Sequence, residues 1–204
     1  MHNFLTVLSR SGLKAKLCFL FVLFYSSLGF AQPIQFSEDS IPIIGDEVVF
    51  SVKFEHDLTQ EEFRNKSYYF LNDKLNPYSG GFLVNNEKST VSKITDYLEI
   101  DSNPIYVNAM YMTYKLHLTY VDGLCSMLIN DITYMEKEYF EAQEKSDRKL
   151  YMPEYSGKDI MIDKKYTKML SRNISGKTTA VTLKRINEII KSLDSIFTLE
   201  TTEN

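Results

Sequence analysis

The stretch from Tyr106 to Tyr120 alternates more regularly than any other in this 204-residue chain, and it constrains the fold most. Its even positions carry Tyr106, Asn108, Met110, Met112, Tyr114, Leu116, Leu118 and Tyr120, while its odd positions include Thr113, Lys115, His117 and Thr119. Successive side chains on a strand point to opposite faces, so this pattern predicts a strand with one buried face and one wet or half-wet face. Asp122-Gly123 then reads as a two-residue hairpin turn of type I′, with positive φ at both centres. Such a turn sets the register of the returning strand. Tyr120 falls opposite Cys125, Leu118 opposite Met127 and Leu116 opposite Ile129 on the apolar face. On the other face Thr119 meets Ser126, His117 meets Leu128 and Lys115 meets Asn130. Asp131, opposite Tyr114, breaks the pattern and predicts a bulge or the sheet's rim.

Other elements flank this hairpin. Phe50, Val52 and Phe54 alternate within Glu47–Glu55, a strand signature. Thr59-Gln60-Glu61-Glu62 reads as a capping box. The helix behind it buries Phe63, Ser67, Phe70, Leu71 and Leu75 and ends before Asn76-Pro77. Lys88–Ile100 is a looser strand. Beyond Tyr134 the chain turns polar, predicting a helical or frayed surface excursion, and 150–161 is irregular around Pro153 and Gly157. A short helix is read over 164–170. From Thr178-Thr179 to Phe197, apolar residues recur with a helical period, which predicts a helix of about 179–197 packed on the sheet. The order strand–helix–strands–helix defines an α+β domain over 46–200, behind an extended leader at 32–45.

The N-terminus predicts a compartment. Arg10, Lys14 and Lys16 precede an apolar run from Leu17 to Tyr25, and Gly29-Phe30-Ala31 supplies small residues for cleavage after Ala31. Residues 1–31 are therefore read as a signal peptide, which predicts export of the mature chain; the expected destination is the periplasm or cell envelope of a Gram-negative bacterium. The apolar run is too short for a membrane span, leaving none after cleavage. Cys18 leaves with the signal, so Cys125 stays alone and no intramolecular disulfide is expected. Without the three basic residues of that segment, 20 basic residues face 27 acidic ones, a balance of −7. An acidic chain with no basic run is a poor match for nucleic acid, whose affinity rests on phosphate neutralisation.

Few residues suggest chemistry. Glu55-His56-Asp57 at the first strand's end has the residue types of a metal site, but strand neighbours point apart, so convergence requires a turn there. The predicted register sets Cys125 and His117 on opposite faces, which excludes them as a nucleophile–base pair. Ser175-Gly176-Lys177-Thr178 is similar to the tail of a phosphate-binding loop, yet Ser171 stands where that loop needs glycine. It is read instead as a helix-start loop capped by Thr178 or Thr179. No motif calls for a cofactor. With 14 Tyr, 13 Phe and no Trp, Tyr97, Tyr111 and Tyr134 on the outer sheet face are candidates for a stacking platform.

Val49-Phe50-Ser51-Val52, the helix after it, Tyr114–Leu118 leading to Asp122-Gly123, and Asn130-Asp131-Ile132-Thr133-Tyr134 together carry a resemblance. Over about Glu47 to Met135 the chain resembles a family of uncharacterised exported bacterial proteins, a domain of unknown function with a TBP-like fold (DUF4468). The resemblance implies a curved antiparallel β-sheet with helices packed on one face; it brings no catalytic residues and no DNA binding. The expected function is a non-enzymatic binding or protein-interaction module for an unknown envelope protein or small ligand. Its expected surface comprises Tyr111, Thr113, Lys115, His117, Thr119, Leu128 and Tyr134. The rivals are a small metal-dependent or hydrolytic enzyme centred on Glu55, His56 and Asp57, and a self-associating envelope structural protein.

Overall fold

The computed structural model describes residues 35–74, 80–102, 107–146, 151–166 and 173–199. The expected signal peptide, Leu75, Asn76-Pro77, Tyr106 and 167–170 of the expected short helix lie outside the described residues. In chain order the strands are β1 (Ile43–Ile44), β2 (Glu47–Val48), β3 (Phe50–Glu55), β4 (Gly80–Asn85), β5 (Ser89–Ser102), β6 (Val107–Val121), β7 (Leu124–Glu136) and β8 (Tyr155–Ser156). The helices are α1 (Gln60–Lys74), α2 (Lys137–Glu144), α3 (Gly157–Met161) and α4 (Ile174–Thr198). β1 and β2 pair as a small hairpin. The remaining strands form one antiparallel sheet in the order β3-β7-β6-β5-β4, with β8 also pairing β7.

The central hairpin holds the register read from sequence: Tyr120 opposite Cys125, Leu118 opposite Met127, His117 opposite Leu128 and Lys115 opposite Asn130. Its turn differs from type I′. Gly123 takes φ +77, but Asp122 is not among the positive-φ residues. The segment before α1 explains this by clamping the turn from outside. The Gln60 amide donates to Asp122 Oδ1 at 2.8 Å, the Gly123 amide to the Leu58 carbonyl at 2.9 Å and the His56 amide to the Gly123 carbonyl at 3.3 Å.

The expected irregularity at Asp131 is a β-bulge. The register shifts between Thr113 and Lys115, so that Asp131 and Ile132 together face Tyr114, and Asp131 takes the left-handed φ of +50. A bulge adds one residue, and with a period of two it exchanges the faces beyond it. Cys125, Met127 and Ile129 are buried before the bulge; Ile132 and Tyr134 are buried after it. Tyr134 therefore does not join Tyr111 on the outer face. It lies in the core with its hydroxyl 2.9 Å from Thr182 Oγ1 on α4.

Helices α1, α3 and α4 cover the face bearing Tyr114, Leu116, Leu118, Met127 and Ile129. Thr59 and Glu62 form the expected capping box, with the Thr59 amide and hydroxyl donating to Glu62 Oε2 at 2.8 and 2.7 Å. Phe63, Ser67 and Leu71 of α1 are buried behind it. In α4, Leu183, Ile186, Ile189, Ile190, Leu193 and Phe197 form the buried stripe. Burial of each such side chain contributes about 1.5–3 kcal/mol.

Three local readings are corrected. α4 begins at Ile174, more than a turn before the expected Thr178-Thr179 start. The Thr178 and Thr179 hydroxyls donate to the carbonyls of Ile174 and Ser175 inside the helix, at 2.9 and 2.7 Å, so Ser175–Thr178 is neither a phosphate loop nor a cap. Within the irregular segment, Ser156 and Asp159 build a capping box that starts α3. Gly157 permits this by close approach, because a Cβ there would meet Ile132 Cβ at 3.2 Å. Residues 164–166 are not helical.

The leader, too, is more than an extended arm. Phe36 packs edge-on to Phe50 at 4.9 Å. Its amide donates to Asn187 Oδ1 at 2.9 Å, and Asn187 Nδ2 donates to its carbonyl at 3.0 Å. A 3-10 turn at Glu38–Ser40 and the β1–β2 hairpin follow.

Candidate functional site

With three helices on one face, the sheet's opposite face presents side chains in cross-strand rows. From the turn end inward, one row runs Val84, Val91, His117, Leu128 and Ser51 across five strands. The next holds Lys93, Lys115 and Asn130, and a third holds Thr95, Thr113, Thr133 and Ser156. Tyr97, Tyr111 and Met135 close the series. Threonine and aromatic residues suit such rows because branched and flat side chains pack well on the pleat.

Helix α2 follows β7 directly and contacts β6 and β7. Phe140 stacks on the Tyr111 ring at a centroid distance of 4.1 Å, and Tyr97 meets Tyr111 edge-on at 5.5 Å. Lys137 Nζ lies 5.7 Å above the Tyr97 ring, a cation–π contact that caps the stack. Burial, and then the nearby Glu141 carboxylate, hold the Tyr111 phenol above its usual range, so it remains a neutral hydrogen-bonding group.

Because α2 lies over this face, a cavity of about 560 Å³ opens beside it. Thr113, Thr133, Lys115 and Asp131 line its sheet side, Tyr111 and Phe140 an aromatic wall, and Lys93, Gln143, Glu144 and Glu154 other parts of its boundary. Lys115 Nζ pairs with Asp131 Oδ2 at 2.5 Å, and the Thr95 and Thr113 hydroxyls share a hydrogen bond of 3.0 Å. The volume lies within the range of small-molecule sites, and aromatic walls with a few convergent polar groups are what such sites use.

Of the residues expected at a binding surface, Tyr111, Thr113 and Lys115 line this cavity. His117 is on the same face but bonded to Asn130 Oδ1 through Nε2 at 2.9 Å. Leu128 and Thr119 lie further along the face, outside the cavity lining, and Tyr134 is in the core. Phe140 and Thr133 were not among them. Thr133 reaches the outer face only through the parity change at Asp131. Phe140 shows as one of two aromatic residues, Tyr139-Phe140, in an otherwise charged stretch, the one sign that this segment has something to pack on.

The structure separates Glu55, His56 and Asp57. Glu55 is exposed on β3, Asp57 is exposed beyond it, and His56 Nε2 bonds Asp194 Oδ1 of α4 at 2.9 Å. Among the described residues no group of three His, Cys, Asp or Glu side chains is placed to hold a metal ion. Cys125 is a free, buried thiol, and burial pushes its pKa up to about 12. It is a core residue.

A single antiparallel sheet with one face under helices and a largely open opposite face defines an α+β domain of TBP-like fold. Among solved structures the chain is similar to a DUF4468 family protein from Bacteroides ovatus, with a TM-score of 0.62, 15% identity, and coverage of 80% of this chain and 94% of that one. It is also similar to a TBP-like protein from Parabacteroides distasonis, with a TM-score of 0.61, 13% identity, and coverage of 77% and 96%. At these identities the likeness is one of fold. No family model matches the sequence, and no curated protein does. Among the described residues no helix is long and apolar enough to cross a membrane.

Proposed function

We propose that the chain is exported across the inner membrane of a Gram-negative bacterium and acts in the cell envelope as a non-enzymatic binding module. It holds a small polar ligand, or a short segment of a partner, in the cavity beside α2. The observation that carries this reading is the placement of Phe140 on Tyr111, which sets an aromatic wall beside the Thr113 and Thr133 hydroxyls and the Lys115–Asp131 pair. An aromatic wall excludes water from the apolar part of a ligand, and the hydroxyls orient its polar part.

Two measurements test it. The protein is tagged and cross-linked in its native envelope, and the purified chain is offered panels of disaccharides and tripeptides by native mass spectrometry. Phe140→Lys and Thr113→Leu are expected to weaken binding of whatever is held at least tenfold while leaving the circular dichroism spectrum unchanged. A captured molecule whose binding both variants leave intact would remove the cavity from consideration. Export is read separately, from the N-terminus of the mature protein and its cell fraction; an intact Met1 in the cytoplasmic fraction would refute it.

A further inference from the structure

The two edges of the sheet are protected unequally. On the β3 edge, exposed Lys53 and Glu55 alternate along the strand, and charged side chains are a common guard against strand addition. The β4 edge, Gly80-Gly81-Phe82-Leu83-Val84-Asn85, carries no charge and no proline. Among the described residues β4 pairs only with β5, so the backbone groups on its other side have no strand partner. The bulge between Phe82 and Val84 is the one edge device present, and it leaves Leu83 54% exposed. Val84 and Tyr69 of α1 are exposed beside it at 40% and 70%. Tyr68, in contact with Tyr69, stacks on Phe82 at 5.4 Å and ties this part of α1 to the strand.

We infer that β4 is a self-pairing edge, on which a second copy of this chain adds its own β4 antiparallel about a two-fold axis. Charge decides for a second copy. The edge has no charge with which to select a charged strand, and antiparallel self-pairing sets uncharged residues opposite uncharged residues along its length. A two-fold through antiparallel strands stands perpendicular to the sheet, so both outer faces, each with its cavity, come to lie on the same side. The edge spans six residues, about 20 Å. With Tyr69, Leu83 and Val84 alone beside it, the buried area is small, so the dimer is expected to be weak, with a Kd of order micromolar or higher.

The test is sedimentation equilibrium of the purified chain from about 1 µM to about 500 µM, a range set by that weak Kd. Hydrogen exchange of those Phe82–Asn85 amides that point away from β5 is followed across the same series. The expected result is a weight-average mass rising towards twice the monomer, with exchange at these amides slowing in step. Leu83→Lys is expected to return the mass to the monomer value at every concentration. Lys53→Leu, on the other edge, serves as the control and is expected to leave the dimer intact. A chain that stays monomeric throughout overturns the inference, as does a dimer that survives Leu83→Lys. Amides protected equally at all concentrations also overturn it, since they would mean that another part of the same chain covers the edge.

Discussion

At the scale of single residues, Asp131 decides which side chains reach the open face. Its φ of +50 lies in the left-handed region, which costs an ordinary L-residue roughly 1–2 kcal/mol and costs Asp less, because its short side chain bonds locally. The ion pair with Lys115 is half-exposed on both sides and contributes at most about 1 kcal/mol. Asp131→Gly relieves the backbone and loses the pair, so urea denaturation is expected to place it within about 1 kcal/mol of the parent. Asp131→Val puts a β-branched side chain where φ is positive and is expected to lose about 1–2 kcal/mol. Deleting Asp131 is a different event: Ile132 alone then faces Tyr114, the ladder pairs without a bulge, and Thr133 and Tyr134 keep their faces, so the chain is expected to fold and to lose little beyond the Lys115 pair. A Val variant as stable as the parent would show that the bulge imposes no backbone strain.

Among the elements, what was legible in the sequence separates cleanly from what was not. The β6–β7 hairpin, α1 with its capping box and the apolar stripe of α4 follow from period and turn chemistry, because local pattern and tertiary packing agree there. The turn type, the early start of α4 and the true place of Tyr134 depend on distant partners: residues 56–60 against Asp122–Gly123, Ile174 in the core, and a bulge whose presence was expected but whose effect on parity reaches further along the strand. The site was half legible for the same reason, since Tyr111, Thr113 and Lys115 lie on β6, whose alternation is unbroken, while Thr133 and Phe140 follow the bulge in β7. The leader shows the same dependence on contacts remote in sequence. Phe36 is held by both amide atoms of Asn187, 151 residues away. Asn187→Ala removes two hydrogen bonds and is expected to lose about 1–2 kcal/mol. Phe36→Ala uncovers part of Phe50 and is expected to lose about 2–3 kcal/mol. The double variant should lose less than the sum, because both changes release one strap. Proteolysis near residues 38–42 should quicken in all three, and unchanged cleavage would mean that the leader is held elsewhere.

For the molecule as a whole, the covered face sets the pH range over which the open face can be studied. Cys125 and Tyr120 are pushed by burial to about 12, from ordinary values of 9.0 and 10.0. Tyr114 and Tyr134 are raised by burial as well, Tyr114 further by the Asp96 carboxylate that accepts its hydroxyl at 2.9 Å. All four keep their protons when folded, whereas the unfolded chain releases them near 9 and 10. Below about pH 9 both states hold the protons and stability does not depend on them; above it the unfolded state binds fewer protons, and stability falls as pH rises. Each proton contributes about 1.4 kcal/mol per pH unit, so with all four engaged the slope approaches about 5 kcal/mol per unit near pH 11. On the acid side, hydrogen bonds from Lys165 and Ser156 hold the Asp159 carboxyl down at about 2, against an ordinary 3.8. Its contribution is complete above about pH 4 and is lost as pH falls towards 2. Urea midpoints between pH 7 and 11 are expected to be level to about 9 and then to drop steeply. A Tyr120→Phe, Cys125→Ala double variant should drop about half as steeply. A level curve to pH 11 would mean that these groups reach solvent in the native state, contrary to the burial on which the fold rests. Between about pH 4 and 9 these groups keep one protonation state, so a pH dependence of ligand binding measured there would not come from them.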